Sequence, residues 1–199
     1  IETIDLVGAY PYGNYQPVAI SDDGETVFIT TWNSFLNGSG IYSINVDTDT
    51  VTRVDVDSSG STVTNQGWSK DSYDIDISSD GRFVTYVDRD YVVSGDWNFG
   101  QKVNVFVKDT LTGDLELIDE TNLNGSSNAP KISSDGRFVL FESDAELTES
   151  DINDGWDYYY ETDFFLADRL NDTITRVNED DNGNRYESGG YSWSADMSA

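Results

Sequence analysis

The sequence predicts an all-β fold, in which β-propeller blades each contain four antiparallel strands. One phrase, Ser-Ser-Asp-Gly-Arg-Phe-Val, occurs at 78–84 and 133–139, and a looser copy, Ser-Asp-Asp-Gly-Glu-Thr-Val, occurs at 21–27. The phrase returns after 57 and then 55 residues, and self-similarity at such a period indicates a repeat architecture. Each unit has four short stretches of alternating apolar residues, whereas no stretch carries a helical period over three turns.

The repeated phrase predicts the first two strands of each unit, A and B. Its Asp-Gly pair is interpreted as the corner of a hairpin, because Gly adopts a positive φ without steric cost. The Asp side chain can accept hydrogen bonds from backbone N–H groups just beyond it. Strands A and B are predicted near 16–22 and 25–32, 73–79 and 82–88, and 128–134 and 137–143.

Strands C and D follow in each unit. Strand C is predicted from an aromatic-rich phrase, as at 105–107 and 164–166, and strand D from Thr-Val-Thr-Arg-Val at 50–54 and Thr-Ile-Thr-Arg-Val at 173–177. Short polar turns link C to D. These strands are predicted near 40–46 and 50–57, 103–109 and 114–120, and 163–168 and 172–178.

The chain is therefore predicted to be a single β-propeller segment with three complete blades. Blade 1 spans 16–57, blade 2 spans 73–120 and blade 3 spans 128–178. Residues 1–15 are interpreted as the last strand of a preceding blade and a loop, and 189–199 as the first strand of a further blade. Closed propellers have four to eight blades, so three form an open arc or part of a larger propeller. A sandwich of irregular hairpins is the alternative, and the recurrence of one phrase at one place argues against it.

The corner also carries a family resemblance. Residues 129–141, Ala-Pro-Lys-Ile-Ser-Ser-Asp-Gly-Arg-Phe-Val-Leu-Phe, followed by Asp-Phe-Phe at 163–165, resemble the repeat of TolB-like propellers, also called PD40 or WD40-like repeats. The resemblance covers three repeats and the start of a fourth. It implies an exported bacterial protein that binds other proteins, or a propeller domain attached to something else. Unit 1 departs in having Glu25 where the others have Arg, and Met197 stands where the fourth Gly is expected.

Composition excludes several classes of function. The chain has 38 acidic and 11 basic residues, for a formal net charge of −27. Such a surface repels nucleic acid and anionic membranes, so neither is expected as a partner. No apolar run approaches the roughly 18 residues of a membrane span. Because the chain has no Cys and no His, Ser-His-Asp and Cys-His centres and the usual zinc sites are excluded, and a metal site must be built from oxygen ligands.

The predicted connectivity of the strands indicates which end of the blades carries the binding site. In antiparallel blades the A–B and C–D turns lie at one end and the B–C and D–A connections at the other. The second set is long, and long loops on one face of a rigid scaffold are where binding sites usually lie. Those loops are rich in aromatic residues, and the predicted ligand-binding residues are Trp68, Trp97, Trp156 and Tyr159. The alternative is that these aromatic side chains only pack between neighbouring loops.

The acidic loop after strand B of the third unit is a candidate Ca²⁺ site. Oxygen-bearing side chains about two residues apart beside a Gly can wrap a hard cation. The loop departs from an EF-hand because Gly155 comes one position early. A weaker candidate lies at 178–183. In so acidic a chain such runs also arise by chance, so solvated loops are the alternative. The predicted ligands are Asp151, Asn153, Asp154 and Asp157.

These observations predict a non-enzymatic binding or scaffold module stabilised by calcium, and the family resemblance implies that it is exported to the periplasm or the extracellular space. Its long-loop face would bind a protein or a polysaccharide. One alternative is a structural subunit that assembles head-to-tail into a ring or an extracellular filament. A further alternative is a carbohydrate-active propeller enzyme with two catalytic carboxylates, although no phrase in the sequence singles out such a pair.

Overall fold

A computed structural model describes residues 14–32, 40–56, 59–61, 74–89, 103–119, 125–145, 147–148, 162–180 and 197. These residues form twelve strands and no helix. The strands make three four-stranded antiparallel sheets, and each sheet is built from four consecutive strands in chain order. The predicted all-β fold of four-stranded blades is therefore confirmed, and the described sheets do not close into a ring.

The three sheets correspond to the three predicted blades. Blade 1 contains β1 (Asn14–Ile20), β2 (Thr26–Trp32), β3 (Gly40–Asn45) and β4 (Thr50–Arg53). Blade 2 contains β5 (Ile75–Ile77), β6 (Phe83–Arg89), β7 (Val103–Asp109) and β8 (Leu115–Leu117). Blade 3 contains β9 (Ser127–Ile132), β10 (Phe138–Ser143), β11 (Asp163–Asp168) and β12 (Thr173–Arg176).

The fourth strand of each blade ends earlier than the sequence predicts. Strands β4, β8 and β12 end at Arg53, Leu117 and Arg176. The first residue after each of these strands still donates its backbone N–H to a carbonyl of strand C. At the second residue, a side chain accepts the hydrogen bond from a strand C N–H group in place of a main-chain carbonyl. These acceptors are Asp55 for Ile41 (3.2 Å), Asp119 for Val105 (3.0 Å) and Asn178 for Phe164 (3.1 Å).

Each Asp-Gly corner is closed by the same set of hydrogen bonds. In blade 3, Ser133 N–H donates to the Phe138 carbonyl (2.9 Å), and Gly136 N–H donates to the Ser133 carbonyl (2.8 Å). The Ser133 hydroxyl donates to Asp135 (2.6 Å) and accepts from Phe138 N–H (2.9 Å). Asp135 in turn accepts from Arg137 N–H (3.0 Å). The pattern recurs in blades 1 and 2 around Ser21 and Ser78.

The predicted roles of the corner Gly and Asp are confirmed. The glycine φ values are +75°, +69° and +73° at Gly24, Gly81 and Gly136. The role of the serine was missed, although a serine stands two residues before the aspartate in every copy. Its hydroxyl is the main reason why the pKa of each corner aspartate, Asp23, Asp80 and Asp135, lies below its usual value.

An Arg–Asp pair ties the corner to the end of strand C in two blades. Arg82 donates to both carboxylate oxygens of Asp109, at 3.1 and 2.7 Å. This bidentate contact is the largest cause that lowers the pKa of Asp109 to about 2. Arg137 holds Asp168 in the same way, at 2.9 and 2.6 Å, and lowers the pKa of that carboxyl as well. These carboxylates remain ionised, and paired, at neutral pH.

Blade 1 lacks both members of this pair, which explains the Glu25 departure in the first copy of the phrase. Asn45 occupies the position of the paired aspartate, since it lies opposite Thr26 as Asp109 lies opposite Phe83. The amide oxygen of Asn45 instead accepts from the N–H and hydroxyl groups of Thr48, at 2.9 and 2.8 Å. Because position 45 holds an amide and not a carboxylate, no arginine is needed at position 25 to pair with it.

Apolar side chains fill the spaces between successive blades. The two clusters contain aromatic pairs, with ring centroids 5.8 Å apart for Tyr86 and Phe106 and 5.9 Å apart for Phe141 and Phe165. The cluster between blades 1 and 2 comprises Phe28, Ile41, Val54, Ile75, Val84, Tyr86 and Phe106. The cluster between blades 2 and 3 comprises Val87, Val105, Val107, Ile118, Ile132, Val139, Phe141, Phe165 and Ala167.

The corners of neighbouring blades are also joined to each other. Asp22 N–H donates to the Ser79 carbonyl (2.9 Å), and Ser79 N–H donates to the Ser134 carbonyl (3.1 Å). We call this series the corner ladder. Gly136 lies against the preceding corner so closely that a Cβ atom there would be 2.2 Å from Phe83 Cδ2.

Long basic side chains connect blade to blade as well. The buried Lys108 of blade 2 donates to the Val56 carbonyl of blade 1 (2.7 Å) and to the Gly113 carbonyl of its own turn (2.6 Å). Arg169 of blade 3 lies over the Phe83 ring, 4.7 Å from its centroid, and pairs with Glu116 of blade 2 at 2.7 Å. The short turns are thus fixed both within and between blades.

Candidate functional site

The connections between strands differ in length at the two ends of the blades, as predicted. At what we call the short-turn end, each A–B and C–D turn has four or five residues. At the opposite, long-loop end, the connections between described strands have seven to twenty-one residues. Most residues of these connections lie outside the described ranges. So do all eight predicted site residues, namely Trp68, Trp97, Trp156 and Tyr159 for a ligand and Asp151, Asn153, Asp154 and Asp157 for Ca²⁺.

The described residues nearest the long-loop end form a buried polar layer at the bases of these connections. Buried polar groups need hydrogen-bond partners. The layer includes Thr30, Thr31, Asp55, Asp119, Ser127, Ser143, Asp163 and Arg176. Within it, Asp55 and Asp119 accept from N–H groups of strands β3 and β7.

The layer is best defined in blade 3, around the connection that carries the predicted calcium ligands. At its far end, Asp163 accepts from the Asn178 side-chain amide (2.6 Å) and lies 3.6 Å from Arg176 Nη1. At its near end, the Ser143 hydroxyl accepts from the Ser127 hydroxyl (2.9 Å) and from Ala145 N–H (3.1 Å). Both ends of this long connection are therefore anchored to the sheet.

Glu142 is a partly buried acid near the long-loop end that the sequence reasoning missed. It lies on β10, and burial is the first cause that raises its pKa, with the negative charge of Asp74 as the second. Its Oε1 atom is buried and has no hydrogen-bond partner among the residues that the structure describes. The pairing registers align it with Thr30 and Val87 of the other blades. An acid at a position otherwise occupied by Thr and Val was the signal available in the sequence.

The described residues do not contain a metal centre. No group of three or more Asp or Glu side chains in this part of the chain could hold an ion. Most of the described carboxylates that show a lowered pKa are bonded to arginine or to backbone N–H groups within the scaffold. The predicted Ca²⁺ site, whose ligands lie in the connection after β10, stays a prediction.

Comparison with known proteins identifies the class of fold. No family model matches the chain, and no curated protein sequence matches it. The chain is similar in structure to the tricorn protease, with a TM-score of 0.51 and 15% identity over 78% of this chain and 14% of that chain. It is also similar to the β-propeller domain of the Trilobed protease from Pyrococcus furiosus, with a TM-score of 0.51 and 14% identity over 82% of this chain and 41% of that one.

A putative TolB from Agrobacterium tumefaciens is a further match, with a TM-score of 0.48 and 17% identity over 82% of this chain and 48% of that chain. The chain thus spans less than half the length of each of these three proteins. At these identities the similarity shows the fold and nothing beyond it. The chain has the β-propeller fold, as the sequence predicts, and its membership of the TolB-like family stays a prediction.

One finding concerns membranes. The described residues include no helix long and apolar enough to cross a bilayer.

Proposed function

We propose that this chain is a non-enzymatic binding or scaffold module, exported to the periplasm or the extracellular space, whose long-loop end binds a protein or a polysaccharide. One observation carries the proposal, the contrast between the two ends of the blades. At the short-turn end, turns of four or five residues are bonded within and between blades. At the other end, far longer connections start from buried, hydrogen-bonded bases. A rigid scaffold that presents long loops on one face is the usual arrangement of a binding protein.

The chemistry of the described carboxylates supports a role without catalysis. Catalysis by two carboxylates needs one acid that holds its proton and one ionised partner across a substrate-sized gap. Asp109, Asp168 and the corner aspartates are ionised and engaged by arginine or by backbone N–H groups. Glu142 is the exception: its pKa is raised and it lies on β10 near the long-loop end, so the test below includes product release.

A binding screen tests this function. The chain is titrated with a panel of soluble polysaccharides while its tryptophan fluorescence is recorded, because the predicted contacts include three tryptophans. For a polysaccharide that binds, Trp97→Ala with Trp156→Ala is expected to weaken binding by at least about tenfold, since buried aromatic contacts typically contribute more than ~1 kcal/mol each. The matched control is Leu170→Ala, an exposed apolar residue at the short-turn end, which is expected to leave affinity unchanged.

Two outcomes would overturn the proposal. Release of oligosaccharide products by the isolated chain would show the alternative function, a carbohydrate-active enzyme. Equal losses of affinity in the tryptophan variant and in Leu170→Ala would place the binding surface away from the long-loop end.

Calcium is proposed to stabilise the same end through Asp151, Asn153, Asp154 and Asp157. A cation that binds only the native state stabilises it by about 2.7 kcal/mol at about 100 times its dissociation constant. For a chain of this size that is about 5–10 °C in Tm. Asp151→Ala with Asp157→Ala is expected to remove most of the rise seen on calcium addition.

The control variant for the calcium experiment removes two negative charges from another part of the chain. Asp47→Ala with Asp114→Ala changes two exposed acids in C–D turns and is expected to keep the calcium-dependent rise. Melting is followed with calcium and with EDTA. Identical melting curves in the two conditions would mean that 151–157 is a solvated loop.

A second candidate function, head-to-tail self-association into a ring or an extracellular filament, is favoured by one observation. Ile20 and Val177 are exposed, whereas the equivalent residues of the other blades lie in the clusters between blades.

A further inference from the structure

Two carboxylates of blade 2 join the first strands of blades 2 and 3. Asp74, the residue before β5, accepts from Ala129 N–H of β9 (3.3 Å), and Asp76 accepts from Ile132 N–H (2.9 Å). The Asp74 bond lies toward the end of the blades where the long connections start. The equivalent positions of blade 1, residues 17 and 19, hold proline and alanine, so blade 1 has no such carboxylates to offer blade 2.

Ala129 lies at an irregular point of β9. Its φ is +50°, and the pairing of β9 with β10 shifts between Leu140 and Glu142. A non-glycine residue with a positive φ persists only where the surrounding structure holds it there. The bond from Ala129 N–H to Asp74 is one of the contacts that do so, because it ties the irregular point to the neighbouring blade.

Glu142 stands opposite this irregular point on β10. Its partner in the pairing register is Asn128, the residue before Ala129. The Glu142 Oε1 atom is buried, and no described residue donates a hydrogen bond to it. A buried carboxyl group without donors costs far more when it is ionised than when it is protonated. Burial first, and the negative charge of Asp74 second, accordingly raise the pKa of Glu142.

The other charged groups on the surrounding strands do not compensate Glu142. Its partner on β11 is the apolar Phe164. Lys131 of β9 lies opposite Leu140, and no cation is among the causes that shift the pKa of Glu142. The remaining acids are bonded elsewhere: Asp76 to Ile132 N–H, Asp144 to Ser126 N–H, and Asp163 to Asn178 and Arg176. Asp74 is therefore the charge that decides how readily Glu142 ionises.

We propose that losing the Glu142 proton weakens the contact between Asp74 and Ala129, so that blades 2 and 3 are joined more tightly in mild acid than at higher pH. When Glu142 is ionised, it repels Asp74, and the repulsion falls if Asp74 withdraws from Ala129 N–H. That bond lies beside the bases of two long connections, one that ends before Ser127 and one that begins after Ser143. The proton on Glu142 thus sets how firmly this part of the long-loop end is held, whatever that end binds.

The sign of the pH dependence follows from the raised pKa of Glu142. The folded state holds this proton more tightly than the unfolded chain does. The stabilisation is therefore complete below the ordinary pKa of glutamate and is lost as the pH rises through the pKa of Glu142 in the folded protein. Aspartates with a lowered pKa act in the opposite direction, because their stabilisation is lost as the pH falls, below about pH 4. These aspartates are Asp23, Asp80, Asp109, Asp135 and Asp168.

Melting of the full chain between about pH 5 and about pH 8 tests the proposal, since this range lies above the ordinary pKa of glutamate. Glu142→Gln keeps the shape of the protonated acid at every pH. Its Tm minus that of the wild type is expected to grow by at least about 2 °C across the range. In Asp74→Asn protein, which keeps an acceptor for Ala129 N–H without the charge, the same substitution is expected to give a smaller growth. The control is Glu25→Gln, which removes an exposed acid and is expected to give a difference that does not change with pH.

Hydrogen exchange locates the effect. At about pH 8 the amides of β9 are expected to exchange at least about threefold faster in the wild type than in Glu142→Gln, whereas those of β3 in blade 1 exchange alike in both proteins.

Several results would overturn the proposal. One is a Tm difference for Glu142→Gln that stays constant or shrinks as the pH rises, and another is an equal growth for Glu25→Gln. Equal exchange of β9 in the two proteins, or an equal change in β3, would also contradict it. If Glu142→Gln does not fold, Glu142→Thr, with the residue that blade 1 has at this position, takes its place. An NMR titration of the Glu142 carboxyl in the wild type needs no variant, and a pKa at or below the ordinary value would be decisive against the proposal.

Discussion

Replacing Gly136 with valine is expected to destabilise the protein by about 3–5 kcal/mol, and the same change at Gly24 by about 1–2 kcal/mol. Both glycines have positive φ values, +73° and +75°, and a β-branched residue in that region costs about 1–3 kcal/mol. Only Gly136 faces a collision, because its Cβ atom would lie 2.2 Å from Cδ2 and 2.8 Å from Cγ of Phe83. Relieving such overpacking costs a further ~1–3 kcal/mol.

The Phe83 ring has little room to move away. Arg82 and Arg169 each lie over it, with the guanidinium carbons 4.7 Å from the ring centroid. Chemical denaturation of Gly136→Val and Gly24→Val measures the difference between the two sites. Equal losses of free energy would mean that the ring yields freely, and that the close approach of the two corners contributes nothing to stability.

Truncating Phe165 to alanine is expected to destabilise the protein by about 3–5 kcal/mol. Its side chain is fully buried in the cluster between blades 2 and 3 and stacks on Phe141, with the ring centroids 5.9 Å apart. Removing a buried aromatic ring loses its transfer free energy and leaves a cavity that the two sheets fill only in part. Leu170→Ala, at an exposed turn position, is the control and is expected to change stability by less than about 0.5 kcal/mol.

The midpoint and slope of urea denaturation distinguish the outcomes for Phe165→Ala. A lower midpoint with an unchanged slope means a loss of stability in a cooperative unit. A loss below about 1 kcal/mol would contradict tight packing between blades 2 and 3, because a ring buried at a real interface cannot be removed so cheaply.

The corner shows how far the sequence could predict this fold. Gly and Asp have local preferences that do not depend on the rest of the protein, so their roles at Gly136 and Asp135 could be foreseen. The serine acts through a bond to Phe138 N–H, five residues away. That bond exists only once two strands have paired, and no local preference of Ser133 indicates it.

Polar residues at the long-loop end illustrate a second limit. Asp119 follows an alternating strand pattern and was expected to continue the strand, but its side chain accepts from Val105 N–H. The alternation of apolar and polar residues indicates which face of a sheet a residue occupies. It does not indicate where a side chain replaces a main-chain carbonyl as the hydrogen-bond acceptor. Glu142 was missed for a related reason, because its raised pKa depends on burial that only the assembled sheet creates. The aromatic and calcium-site residues lie in connections beyond the described ranges and stay predictions.

The Arg–Asp pair constrains the order in which these repeats could diverge by single substitutions. From the blade 1 state, Asn45→Asp alone would put a second carboxylate beside Glu25, whereas Glu25→Arg alone would put a cation beside an amide oxygen. From the blade 2 state, replacing Arg82 first would leave the largely buried Asp109 carboxylate without a cation. Replacing Asp109 first would leave the Arg82 guanidinium unpaired, but that group is 39% exposed and hydrated. On electrostatic grounds both directions favour the same Arg–Asn intermediate.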